Sequence, residues 1–97
     1  MPRPPRLLYS FKCLDVAGPS VANGAKVQQW DCVYVDNQEW RLLRPSSFQS
    51  ARGGVLLQSV FSGKCLDLTD WSLANNTILQ QWDCADHANK MWYFTPP

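Results

Sequence analysis

At 97 residues, with nine Lys plus Arg against eight Asp plus Glu, the chain is one small module without the basic excess a nucleic-acid binder uses to neutralise phosphates. Five Trp, three Tyr and four Phe exclude a disordered chain, and no apolar run approaches the ~20 residues of a membrane-spanning helix. Four cysteines in so short a chain point to cross-links made in an oxidising, extracellular compartment, because a domain of this size buries little apolar surface.

The chain opens on Met1-Pro2-Arg3-Pro4-Pro5-Arg6. The following Leu7-Leu8-Tyr9 falls short of the ~7 to 15 apolar residues of a secretory signal, so the expectation is a removed signal or a piece of a longer chain. Pro2-Arg3-Pro4-Pro5 has the look of a polyproline ligand, although a frayed terminus explains it as well. A lead-in strand is predicted at Arg6-Leu7-Leu8-Tyr9, then a short strand around Cys13-Leu14-Asp15, a polar turn with Gly18-Pro19, and a strand ending in Gln28-Gln29-Trp30-Asp31-Cys32. Another turn leads to Trp40, after which 44–54 reads as a linking loop and 55–60 as the strand leading into a second unit.

That second unit repeats the first. A shift of 52 positions lays Lys12-Cys13-Leu14-Asp15 on Lys64-Cys65-Leu66-Asp67 and Gln28-Gln29-Trp30-Asp31-Cys32 on Gln80-Gln81-Trp82-Asp83-Cys84 without a gap. Between Lys12 and Trp40, 14 of 29 positions are identical to their counterparts in Lys64 to Trp92. Repeat one is therefore drawn at about 6–43, the linker at about 44–54 and repeat two at about 55–97, within a single domain spanning 1–97. Strands of hairpin length, frequent turn residues and no sustained 3.6-residue apolar period make the class all-β.

The cysteines of each repeat stand 19 apart, and repetition favours Cys13 with Cys32 and Cys65 with Cys84 among the three possible connectivities. A zinc site is the alternative, but there is no Cys-x-x-Cys pair and only one histidine, His87. No metal or cofactor is expected. His87 has no framed nucleophile, and Asp36, Asp70 and Asp86 form no repeated carboxylate pair, so no enzyme is read here. Asn75-Asn76-Thr77 fits the N-glycosylation pattern.

Together the Lys-Cys-Leu-Asp start, the Ala-Asn of the middle turn, the Gln-x-Trp-Asp-Cys strand and the closing Asn37-Gln38-Glu39-Trp40 or Asn89-Lys90-Met91-Trp92 resemble the ricin-type lectin repeat of the β-trefoil carbohydrate-binding family. The resemblance covers nearly the whole chain in two copies. It implies that Trp40 and Trp92 fill the core near the trefoil axis, while Trp30 and Trp82 are platforms on which a sugar ring lies. Repeat one would then bind through Asp15, Trp30 and Asn37, with Gln28 and Gln38 orienting them or adding hydrogen bonds. Repeat two would use Asp67, Trp82, Asn89 and Gln80. The chemistry agrees: a pyranose needs an aromatic surface for its C–H face and fixed polar groups for its hydroxyls. Read without the resemblance, the same aspartates could serve turns and the same tryptophans the core.

Lys90 replaces the glutamine of the family pattern; its longer, mobile stem either costs affinity or admits an acidic sugar. Trp71 either extends the second site or packs in its turn. A trefoil has three such units and this sequence holds two, so core edges lined by Trp40 and Trp92 need covering. A missing segment of a longer chain, oligomerisation, or the chain's own linker and N-terminal segment would cover them, and a homo-oligomer or a fragment of a larger chain is expected rather than a lone monomer. The implied function is a non-catalytic, secreted lectin for galactose, GalNAc, lactose or xylan-type glycans, with neither nucleic acid nor membrane insertion involved. The alternatives are a polysaccharide-targeting module of a glycoside hydrolase and a trefoil that binds proteins or inhibits a protease.

Overall fold

The computed structural model describes residues 12–33, 35–44, 54–69, 75, 77–85 and 90–92. The predicted lead-in strand at 6–9, most of the linker, Trp71, His87 and the candidate site residue Asn89 lie outside them.

Among the described residues six four-residue strands follow in chain order: β1 Cys13–Val16, β2 Val27–Trp30, β3 Trp40–Leu43, β4 Leu56–Ser59, β5 Cys65–Leu68 and β6 Leu79–Trp82, with a 3-10 turn at Asp36–Gln38. The hairpins β1–β2 and β5–β6 are superposable in register, Asp15 opposite Gln28 and Asp67 opposite Gln80, Cys13 opposite Trp30 and Cys65 opposite Trp82. Disulfides join Cys13 to Cys32 and Cys65 to Cys84, leaving no free thiol to bind zinc. In the chain-entropy account each such loop contributes about 3 kcal/mol.

Strand alternation sorts the side chains of each hairpin. Leu14 and Val16 turn to one face with Val27 and Gln29; Cys13 and Asp15 turn to the other with Gln28 and Trp30. The first face is the core, a cluster of Val16, Val27, Trp40, Leu57 and Leu66 backed by Leu14, Ala25, Leu79 and Trp92. It takes residues from both repeats. Sheet pairing crosses the sequence division too, since β3 of repeat one lies antiparallel to β4 of repeat two, with Trp40 opposite Ser59. Trp40 and Trp92 each donate their indole N–H to the equivalent carbonyl, Leu14 O or Leu66 O, at 3.2 Å. Their burial differs: Trp40 is covered within this chain at 4% exposure, and Trp92 is only partly buried. Of the two tryptophans expected to line a bare core edge, only Trp92 keeps exposed surface among the described residues.

The repeats are clasped by a contact that the sequence gives no sign of. The repeat-one turn at residues 20–25 docks on β6, where Gly24 N–H donates to Gln81 O at 2.8 Å and Gln81 N–H to Ala25 O at 2.9 Å. Gln81 is fully buried, its amide donating to Ser20 O and Ala22 O at 2.9 and 2.8 Å and accepting from Ser62 Oγ at 2.7 Å. Asn23 and Asp83 complete the clasp by exchanging two bonds, Asn23 Nδ2 to Asp83 Oδ2 at 3.1 Å and Asp83 N–H to Asn23 Oδ1 at 2.8 Å. Lys64 and Asn23 hold the Asp83 carboxyl below the usual aspartate range. Gly24 has φ +88°, a left-handed conformation that glycine adopts freely and asparagine only occasionally.

Candidate functional site

The candidate site lies on the outer face of β1–β2, around a carboxylate. Asp15 is buried, and a buried carboxylate needs donors. Three side-chain amides provide them. Gln28, directly across the hairpin, donates to Oδ1 at 3.2 Å. The 3-10 turn brings in the other two, Asn37 Nδ2 at 3.2 Å and Gln38 Nε2 at 3.0 Å, both to Oδ2. Asn37 gives its second N–H to Val16 O at 3.1 Å. Gln38, with no exposed surface, gives its second to Asp31 O at 2.8 Å and accepts Val33 N–H at 2.9 Å.

This wiring decides what each group can still do. Two donors occupy Asp15 Oδ2, so Oδ1 is the oxygen left for a ligand hydroxyl. Both N–H bonds of Asn37 are spent on the protein, which leaves its carbonyl as an acceptor. Of the two roles allowed to Gln38, orientation is the one its burial permits. Trp30 closes β2 with 56% of its surface exposed, beside an open cavity of about 300 Å³ lined by Asp15, Gly18, Pro19, Gln28, Trp30 and Asn37. An aromatic wall next to acceptors suits a neutral, hydroxyl-rich ring.

Repeat two copies the frame with a different charge. Gln80 donates to Asp67 Oδ1 at 3.1 Å as Gln28 does to Asp15, and Trp82 stands 42% exposed at the end of β6. At Oδ2, however, Lys90 makes an ion pair at 2.7 Å, with both side chains buried. The expected mobile stem is thus corrected: Lys90 turns inward because Asp67 is there to neutralise it, so it presents no free cation to an acidic sugar. Asp31 and Asp83, just before the second cysteine of each repeat, are exposed partners of Lys12 and Lys64.

The model of the family described as Ricin-type beta-trefoil lectin domain-like matches residues 8–77 and again 36–97, two overlapping spans that each take in more than half of the chain. The chain belongs to this family. Its all-β fold is a partial β-trefoil of the ricin B-like type. It is similar to the designed three-fold symmetric protein ThreeFoil at 32% identity and a TM-score of 0.76, over 87% of this chain and 56% of ThreeFoil. The chain thus spans little more than half of that trefoil. It is also similar to an exo-beta-1,3-galactanase from Clostridium thermocellum, at 27% identity and a TM-score of 0.80, over 91% of this chain but 18% of the enzyme. The Rhizoctonia solani agglutinin shares the fold, with 20% identity and a TM-score of 0.54 over 92% of this chain and 89% of the agglutinin. The ricin-type framework explains the repeated Cys-Leu-Asp and Gln-x-Trp strings as one hairpin used twice.

Two residues with evident structural work escaped sequence reasoning. Gln81 is one, since its twin Gln29 carries the same local sequence yet lies exposed. Phe61 is the other, an exposed aromatic of repeat two beside the site of repeat one.

Proposed function

We propose that the chain is a non-catalytic carbohydrate-binding module whose working site is Asp15, Gln28, Trp30 and Asn37, oriented by Gln38. The observation that carries this reading is the buried Asp15 carboxylate, held rigid by three amides beneath the rim of a half-exposed Trp30. Its ligand class is a neutral sugar of galactose, GalNAc, lactose or xylan type, taken by an acceptor set that hydroxyl donors satisfy. The similarity to the galactanase is consistent with that class, and the two disulfides support secretion. Asp67, Gln80, Trp82 and Asn89 form a second, weaker site. A glycan array probed with the oxidised, folded protein tests the reading. Selective binding that free galactose, lactose or xylobiose competes away is expected; silence across the array, with the fold intact, overturns it. In that event the protein-binding alternative stands.

A second proposal concerns assembly, and the inter-repeat clasp favours it. Lys12, Gln29, Trp30 and Asp31 line a cavity of about 350 Å³, and they are the counterparts of Lys64, Gln81, Trp82 and Asp83, of which Gln81 and Asp83 are hydrogen-bonded by repeat one's turn. The matching turn residue, Asn75, is exposed at the position equivalent to Asn23. Asn76 replaces Gly24, where an added Cβ would meet nothing closer than 3.9 Å. A second copy of this chain therefore carries the sequence that this surface fits, in a head-to-tail contact. In unglycosylated protein the sedimentation mass should rise with concentration. Asp31→Ala and Asn75→Ala should each stay monomeric alone and form a dimer that grows no further when mixed, because each retains the half the other lacks. A wild-type mass of one chain at every concentration overturns the assembly proposal.

A further inference from the structure

Beside the Trp30 cavity lies a second one of about 420 Å³, lined by Pro19, Val35, Asp36, Asn37 and Phe61. Pro19 and Asn37 line both, so the two cavities adjoin across a ridge made by these residues. Each holds the same pair of tools, an exposed aromatic and a carboxylate: Trp30 with Asp15 in the first, Phe61 with Asp36 in the second. Phe61 is 39% exposed although its residue type favours burial.

Its position is fixed from three directions. Phe61 sits in the β4–β5 turn, where Val60 N–H donates to Glu39 O at 2.9 Å, tying the turn to repeat one just past Gln38. Gly63 N–H returns to Ser59 O at 2.9 Å, with Gly63 at φ +75°, a conformation that closes the turn tightly. Ser62 Oγ donates to the buried Gln81 at 2.7 Å. An aromatic held this firmly at the rim of a cleft, with no hydrogen-bonding atom of its own, offers a flat apolar surface and little else.

We propose that repeat one reads two linked sugar rings: the first against Trp30 and Asp15, the second laid with its C–H face on Phe61 while Asp36 accepts one of its hydroxyls. Pro19 and Val35 supply apolar flanks, and the carboxylate selects a neutral second ring over a uronic or sialic acid. This deepens the sugar-binding reading above and rests on it. Phe61 belongs to repeat two, so the second subsite exists only where the two repeats are clasped.

Titration calorimetry tests the proposal with methyl galactoside, methyl xyloside, lactose, a set of galactobioses differing in linkage, and xylobiose. At least one disaccharide should bind the unchanged protein roughly three- to tenfold more tightly than its monosaccharide, the range expected of one added ring contact. Phe61→Ala should erase that gain and leave the monosaccharide affinity unchanged. Asp36→Asn, an exposed substitution that does not threaten folding, should reduce the gain, and Phe61→Trp should keep it. Disaccharides that all bind within about twofold of their monosaccharides overturn the second subsite alone. So does a Phe61→Ala variant, folded by circular dichroism, that keeps the gain. Failure of every sugar to bind overturns the underlying reading as well.

Discussion

Replacing Lys90 by Met is expected to destabilise the protein by about 3 to 5 kcal/mol, read as a shift in urea midpoint, because it strands the buried Asp67 carboxylate without its counter-charge. Lys90→Gln should cost far less. In repeat one the equivalent glutamine reaches Asp15 Oδ2 at 3.0 Å through a neutral amide, and the surrounding hairpin has the same register in both repeats. The glutamine variant should also gain function. An ammonium at 2.7 Å draws the charge of Asp67 inward and weakens the carboxylate as an acceptor for a sugar hydroxyl. Removing that charge should restore the acceptor next to Trp82, raising the calorimetric stoichiometry from about one sugar per chain toward two. Two equal sites in the unchanged protein would sink this account of repeat two, and so would a Met variant as stable as the parent.

How far the sequence reaches depends on where each residue's partner comes from. The burial of Trp40, whose core neighbours Leu57 and Leu66 belong to repeat two, is implied by the ricin-type pattern alone; otherwise the legible residues are those whose environment lies within one hairpin, as with the cysteine pairs and the exposure of Trp30. Other residues whose environment the opposite repeat completes were not legible. Gln29 and Gln81 sit in the same Gln-Gln-Trp-Asp-Cys string, and only docking of the distant turn at residues 20–25 separates an exposed side chain from a buried one. Phe61 lies more than twenty positions from Asp36 and Asn37, and no local pattern brings it to their side. Lys90 misled for a different reason. Lysine is normally a surface residue, and its inward turn follows from the negative charge of the buried Asp67 carboxylate rather than from its own preference. Duplication supplied two copies of one hairpin, and the contacts between them made the copies unequal.

That inequality gives the tryptophans distinct expected phenotypes. Trp40→Ala should cost about 3 to 5 kcal/mol, since it removes a large side chain from the centre of the shared core and leaves Leu14 O without its indole donor. Trp92→Ala removes the same bond, to Leu66 O, but from a half-buried position, so its loss should be smaller. Trp30→Ala should leave stability within about 0.5 kcal/mol of the parent, as expected of an exposed side chain outside the core. Its effect should appear in binding, as a loss of at least about tenfold in sugar affinity once the platform is gone. Urea denaturation of the three variants, followed by calorimetry on those that stay folded, separates core from platform. Equal denaturation losses for Trp30→Ala and Trp40→Ala would place both rings in the core and remove Trp30 from the proposed site.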